Sequence, residues 1–401
     1  MTEVLFTELK LRNITLPNRL VRSATYEGWG DTHGVPRDGL AACYAELARG
    51  GVGTLITGFV YPTQAGRAMQ PGQCGIDSDE KIAPWGRIVE QARAASPDMK
   101  LFMQLSHAGR QTRREITGLP VVGASSRQCS YFRQRVHPLT EEEIQRIIAD
   151  FAAAAHRAQQ AGFDGVQVHA AHGYLIHQFL SPWTNTRKDR WGEPTLLLQE
   201  IIRAIRQACG EVFPVLVKIS SGEDSPIHFD IEQVIHTVQC LDALAVDAVE
   251  ISYGTMEYAV NIIRGAIPIN LAMQVNPLFN QYPAIVRWAW KKFYYPSYRK
   301  HFIPFSEGYN LSAAMQIKRR TALPVIPVGG FRTPESMIDC VTTQGMDAVA
   351  LCRPLICEPN LPRQLREGRF SKSKCTNCNF CTINCDSAEP LRCYQKTGEA
   401  S

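Results

Sequence analysis

The chain has 401 residues, 45% of them apolar and 20% charged, which suits a large buried core and excludes a disordered or collagen-like polymer. Its 43 Lys and Arg outnumber 38 Asp and Glu by only five, too mild a surplus to mark a nucleic-acid binder. The N-terminal MTEVLFTELK lacks the basic start and apolar block of an export signal, and the longest uncharged run, 265–286, is interrupted by Pro268, Pro277 and Pro283, so no membrane span is expected.

Short β-branched runs predict strands at 20–24, 53–57, 101–105, 165–169, 215–220, 248–253, 325–328 and 348–351. Helical stretches separate them. The clearest lies between the third and fourth strands, where Thr140 and Glu143 stand at capping-box spacing. Ile144, Ile147, Ile148 and Phe151 follow on one face, and Gly162 marks the end. Eight alternating units predict an α/β fold of the (β/α)₈ TIM barrel type, whose chemistry gathers at the C-terminal ends of the strands. A doubly wound open sheet is the competitor, but no G-x-G-x-x-G follows the first strand.

Two segments break the rhythm. Residues 254–312 are too long for one loop and rich in aromatics, Pro, Lys and Arg; they read as an inserted subdomain or lid over the barrel mouth, or as a packed excursion with solvated lysines. The barrel with this insertion spans 1–370, and a cysteine-rich tail occupies 371–401. Five of the thirteen cysteines, 375, 378, 381, 385 and 393, crowd that tail. Without an export signal they read as a metal or cluster site in a reducing, cytoplasmic setting rather than as disulfides.

Just beyond the fourth strand, HAAHGYLIHQFLSP places His169, His172 and Tyr174 together at the barrel mouth. Such a trio suits binding an electron-rich ring and donating a proton. At this point the sequence resembles the old yellow enzyme family of FMN-dependent ene-reductases over about residues 5–365. The resemblance rests on LFTELKLRNITLPNRLVRSA, FMQLSHAGRQ, GFDGVQVHAAHGYLIHQFLSPWTNTRKDRWG, VGGFRTPE and ALCRPLICEPNLP. The branch that includes 2,4-dienoyl-CoA reductase is the nearest, because it too carries clustered cysteines after the barrel.

The resemblance implies that FMN is lined by Ser23, Ala24 and Thr25 after the first strand, by Gly58 after the second, and by Gln104 at the pyrimidine edge. His169 and His172 match the pair that holds the substrate oxygen, with His169 also touching the flavin. Tyr174 matches the proton donor and Lys218 the cation beside flavin N1. Gly329, Gly330, Cys352 and Arg353 match the phosphate cradle of the last two loops. Three features depart from the family pattern: Tyr26 stands where Thr, Cys or His is usual, Cys352 replaces a glycine, and EPTLLLQE follows DRWG. NAD(P)H is the implied reductant and an activated C=C bond the implied substrate. An amine or N-methyl oxidase or demethylase is the alternative, as is an electron-transfer subunit.

In the tail, Cys375, Cys378, Cys381 and Cys393 approximate the four-cysteine spacing of a [4Fe–4S] site, with one residue fewer in the middle gap. Cys385 in place of Cys393 gives a ferredoxin-like set, and zinc or free thiols are the other readings. The larger relatives continue into FAD- and NAD-binding domains. Here reduction is expected either directly from NAD(P)H or through a separate electron-transfer partner. Oligomeric state is left open.

Overall fold

The computed structural model describes residues 2–397 and the side chains as far as Gln395; Met1 and the last four residues of the expected tail, 398–401, lie outside the described residues. Eight parallel strands form one sheet: Leu20–Arg22, Thr54–Ile56, Lys100–Leu105, Gly165–Ala170, Val215–Ser220, Ala248–Ser252, Val325–Pro327 and Val349–Leu351. Each pairs with its sequence neighbour and the eighth pairs with the first. A parallel bridge from Val328 to Ala350 joins the seventh to the eighth, so the sheet closes into a (β/α)₈ barrel. All eight predicted strands are present. The expected helix runs from Glu141 to Gln160, and Thr140 and Glu143 exchange both capping-box hydrogen bonds.

Alternation along the strands sorts the side chains. On the fifth strand Val215, Val217 and Ile219 face outward into the shell between sheet and helices, while Leu216 joins the barrel interior. The lower interior is apolar. Val21, Ile56, Phe102, Leu216, Ala248 and Ile326 fill it, and the hairpin of Leu9–Lys10 and Thr15–Leu16 closes its floor with Leu9, Leu11 and Leu16. Two residues farther along the first, third, fifth and sixth strands the inward positions turn polar, giving Ser23, Gln104, Lys218 and Glu250. A sealed floor beneath a polar layer leaves one place for chemistry, the C-terminal rim.

Residues 254–312 fold over that rim as short helices, Ala259–Ile263, Ile269–Val275 and Pro277–Asn280, and then a continuous helical run from 284 to 301 with a π-turn at Trp290–Tyr294. The tail returns to the same end. Its Asn377 carbonyl accepts from Ala266 N (2.9 Å), Asn379 Nδ2 donates to the Ala266 carbonyl (2.8 Å), and Leu391 N donates to the Glu27 carbonyl (2.8 Å).

Candidate active site

A cavity of about 990 Å³ sits on the rim, at the upper end of the range for ligand sites and large enough for a cofactor with a reactant above it. Strand ends, insertion and tail all line it. Its floor is the polar layer, one connected network. Glu250 accepts from Ser23 Oγ (2.6 Å) and Gln167 Nε2 (2.8 Å), and it pairs with Lys218 Nζ at 3.1 Å. Lys218 also donates to Ser23 Oγ (2.8 Å), and Gln104 Nε2 donates to Gln167 Oε1 (2.7 Å). Register explains the ion pair: Lys218 and Glu250 stand directly opposite one another on adjacent parallel strands.

Above this floor, the fourth strand delivers His169. The chain then turns through His172 and Gly173, both with left-handed backbones (φ 62° and 76°), a conformation that costs His172 energy and persists because its surroundings hold it. His172 N donates to Ser220 Oγ (3.1 Å), and its Nε2 bonds Ser252 Oγ (2.8 Å). The rings of His169 and His172 are 5.0 Å apart, and those of His169 and Tyr174 are 4.8 Å apart, both edge to face. His169 Nδ1 is buried without a hydrogen-bond partner, so the site holds a polar atom that a ligand would satisfy. Burial, followed by the charge of Lys218, holds His169 far below the usual imidazole range. Burial with the neighbouring His169 and Lys218 does the same for His172. Both rings are therefore neutral donors. Burial also raises the Tyr174 phenol, keeping its proton in place.

Ser23, Ala24, Thr25, Gln104, Lys218, Gly329, Gly330, Cys352 and Arg353 all line the cavity with His169, His172 and Tyr174. Gly58 does not: its amide is turned away and donates to the Glu27 carboxylate (3.0 Å), and a Cβ there would meet Glu27 Oε2 at 2.3 Å. At Gly329 (φ 152°) a Cβ would strike the Tyr309 ring at 2.6 Å, so only glycine leaves this loop backbone bare toward the cavity. Arg353 donates to the Arg264 carbonyl (2.8 Å) and to Asn379 Oδ1 (2.6 Å), tying the eighth strand to insertion and tail, and Cys352 Sγ lies 3.1 Å from Thr25 Oγ1.

The tail divides its cysteines. Cys375, Cys378, Cys381 and Cys393 line a small separate void together with Cys357, whereas Cys385 lines the main cavity beside Asp386. A single zinc needs four ligands within about 2.3 Å of one point. Among the described residues no group of three or more His, Cys, Asp or Glu is arranged to hold one metal ion. All thirteen cysteines are free thiols.

Sequence reasoning missed Glu250, Gln167 and Asp386. A carboxylate amid the apolar VEIS strand was a readable signal for the first. Nothing local marked Asp386, which is half-buried in the cavity wall and accepts from Gln70 Nε2 (3.1 Å) and Asn276 Nδ2 (2.5 Å). Burial lifts its carboxyl to about 6.

Residues 4–282 match the model of the NADH:flavin oxidoreductase / NADH oxidase family. Among curated relatives, an NADH oxidase of Thermoanaerobacter brockii is 32% identical over 94% of this chain and 53% of its own length. Among solved structures, a 2-naphthoyl-CoA reductase complex superposes with a TM-score of 0.81 at 24% identity, covering all of this chain and 58% of its own. Histamine dehydrogenase from Rhizobium sp. 4-9 gives 0.79 at 21%, covering 98% and 52%. The chain thus spans about half the length of the first curated relatives it matches.

Proposed function

Because the chain belongs to the NADH:flavin oxidoreductase / NADH oxidase family, the old yellow enzyme family that its motifs resemble, we propose that it is an FMN-dependent ene-reductase that uses NAD(P)H to reduce an activated C=C bond. Bound FMN supplies hydride acceptance from a nicotinamide and hydride donation to an alkene. The residues of the polar floor suit it: Gln104 offers amide groups and Lys218 a cation, while the bare backbone of Gly329 and Gly330 with Arg353 offers a phosphate site. His169 and His172, neutral and with ring centres 5.0 Å apart, hold a substrate carbonyl oxygen and polarise the conjugated alkene. Tyr174 gives its proton to the α-carbon, and the rings of Phe59 and Tyr174, 5.6 Å apart, keep water away.

One observation carries this reading: His169 Nδ1, buried and unsatisfied, shares a cavity with His172 and Tyr174. The test is anaerobic. FMN-loaded protein should be bleached by NADH or NADPH and reoxidised by cyclohexenone. A flavin that no enone reoxidises would overturn the assignment.

Asp386 favours a second reading. It is a carboxylate in the cavity wall whose hydrogen-bond partners are two amides and not a cation, so it would suit an amine held for oxidation. Bleaching by a tertiary amine, with no response to enones, would select this alternative. In either case the void lined by Cys375, Cys378, Cys381 and Cys393 supports a [4Fe–4S] site with Cys393 as the fourth ligand. Free thiols in such number suit a reducing, cytoplasmic setting.

A further inference from the structure

Between Glu257 and Glu307 the sequence has no acidic residue and six basic ones, more positive charge than the excess of the whole chain. The helical run 284–301 lies in this segment and is two-faced. Trp290, Tyr294 and Tyr298 line the cavity, with Trp290 packed 5.6 Å from Tyr294 and 6.2 Å from Tyr298. On the other side Ile285, Trp288 and Phe293 are 68%, 52% and 70% exposed. Of the nine large apolar side chains exposed among the described residues, six lie between 282 and 294. Scattered apolar residues need no explanation, but concentration on one helix does.

The charges surround the same patch. Lys292 Nζ sits over the rings of Trp288 (4.8 Å) and Phe293 (5.5 Å), Lys291 donates to Asn270 Oδ1 (2.6 Å), and Arg299 and Lys300 are exposed at the end of the run. Neither Lys291 nor Lys292 is spent on a carboxylate in these contacts. A second copy of the chain would bring the same positive charge to a shared face and be repelled. An acidic surface with an apolar layer beneath it satisfies both halves of the patch. Tyr282, Val286 and Tyr294 are exposed and also line the cavity, so the cavity opens beside this helix.

We propose that the 284–301 helix docks reversibly on an anionic lipid bilayer, lying in the interface with Ile285, Trp288 and Phe293 among the acyl chains and Lys291, Lys292, Arg299 and Lys300 at the headgroups. The span is too short and too basic to cross it. The proposal rests on the surface alone and holds under either reading of the reaction.

Flotation of the FMN-loaded protein with vesicles of phosphatidylglycerol and phosphatidylcholine tests it. The protein should rise with these vesicles, stay down with pure phosphatidylcholine, and be released at about 1 M salt, where the screening length falls to about 3 Å. Replacing Lys291→Gln and Lys292→Gln should weaken partitioning about 25-fold, at about fivefold per charge. Trp288→Ala with Phe293→Ala should weaken it about tenfold or more. All four sites are on the surface, and an unchanged flavin spectrum and far-UV dichroism check the fold of each variant. Absence of flotation with the acidic vesicles would overturn the proposal, as would flotation that the variants do not weaken. A concentration-dependent dimer that Phe293→Ala dissociates, in protein that ignores vesicles, would assign the patch to a second copy instead.

Discussion

The ion pair beneath the cavity gives the most exacting test of the geometry. Lys218 and Glu250 are separated by 3.1 Å, with side chains only 4% and 2% exposed, so solvent screening is slight. At an effective dielectric near 20 the attraction is about 5 kcal/mol. Removing either charge leaves the other buried and uncompensated, a loss of about 3–5 kcal/mol. Glu250→Gln keeps the shape and some hydrogen bonding to Ser23 and Gln167, so about 3 kcal/mol is expected, and Lys218→Met should cost a similar amount. The double variant buries no lone charge. It should be destabilised about as much as one single variant, giving a coupling of about 3 kcal/mol. Urea unfolding of the four flavin-free proteins at neutral pH, followed by tryptophan fluorescence, measures the cycle. Additivity within about 0.5 kcal/mol would refute the claim that these two charges support one another.

Other consequences follow from the same site. Tyr174→Phe should slow alkene reduction about 100-fold or more while leaving flavin reduction by NAD(P)H intact, a split that stopped-flow absorbance resolves. His107, held near 3 by burial, and His169 and His172, held well below their usual range, bind no proton in the folded state at pH 5, whereas in the unfolded chain each binds one below about 6.5. Stability of the flavin-free protein should therefore fall as pH drops from 6.5 to 5, by about 1.6 kcal/mol for His107, with His169 and His172 acting in the same direction. Asp386 opposes this: its folded value of about 6 is above the unfolded one, so it adds about 1 kcal/mol over the same interval, less than the three histidines together remove, and a net loss should appear in urea midpoints. Ionisation of Asp386 should also place a pH dependence near 6 on the KM of a charged substrate, and Asp386→Asn should flatten it. Cys393→Ser should lower iron content after anaerobic reconstitution, whereas Cys385→Ser should not; equal losses would contradict the division of the tail thiols.

The barrel was legible because most strands are compact β-branched runs, and because the helix before the fourth strand carries its own start and stop in Thr140, Glu143 and Gly162. His169, His172 and Tyr174 were legible for a related reason: they follow a strand directly, so strand order alone places them at the rim. Gly58 shows the limit of that logic. Its position after the second strand matched the pattern, yet the buried Glu27 claims its amide, an interaction set by distant packing. Asp386 lay beyond local reasoning as well, and so did the partners of Arg353, a residue the motif itself had placed at the site. Asp386 is brought to the cavity by a tail that doubles back more than a hundred residues from Asn276, and Arg353 is held by Arg264 and Asn379 from two different segments. Periodicity marked 254–312 as irregular but could not foretell a helix with one face on a cavity and the other on solvent.

The C-terminal segment that gathers four thiols around one void also presents Cys385 and Asp386 to the other. Only three residues separate Cys381 from Cys385, and Cys385 Sγ hydrogen-bonds back to the Cys381 carbonyl (3.4 Å). The two chambers therefore share one short stretch of backbone, so a cluster held as proposed in the smaller would bear on a wall of the larger. On the proposal that the smaller chamber holds a cluster, protein produced under iron starvation should differ in which molecules the larger cavity admits, so metal supply would bear on selectivity.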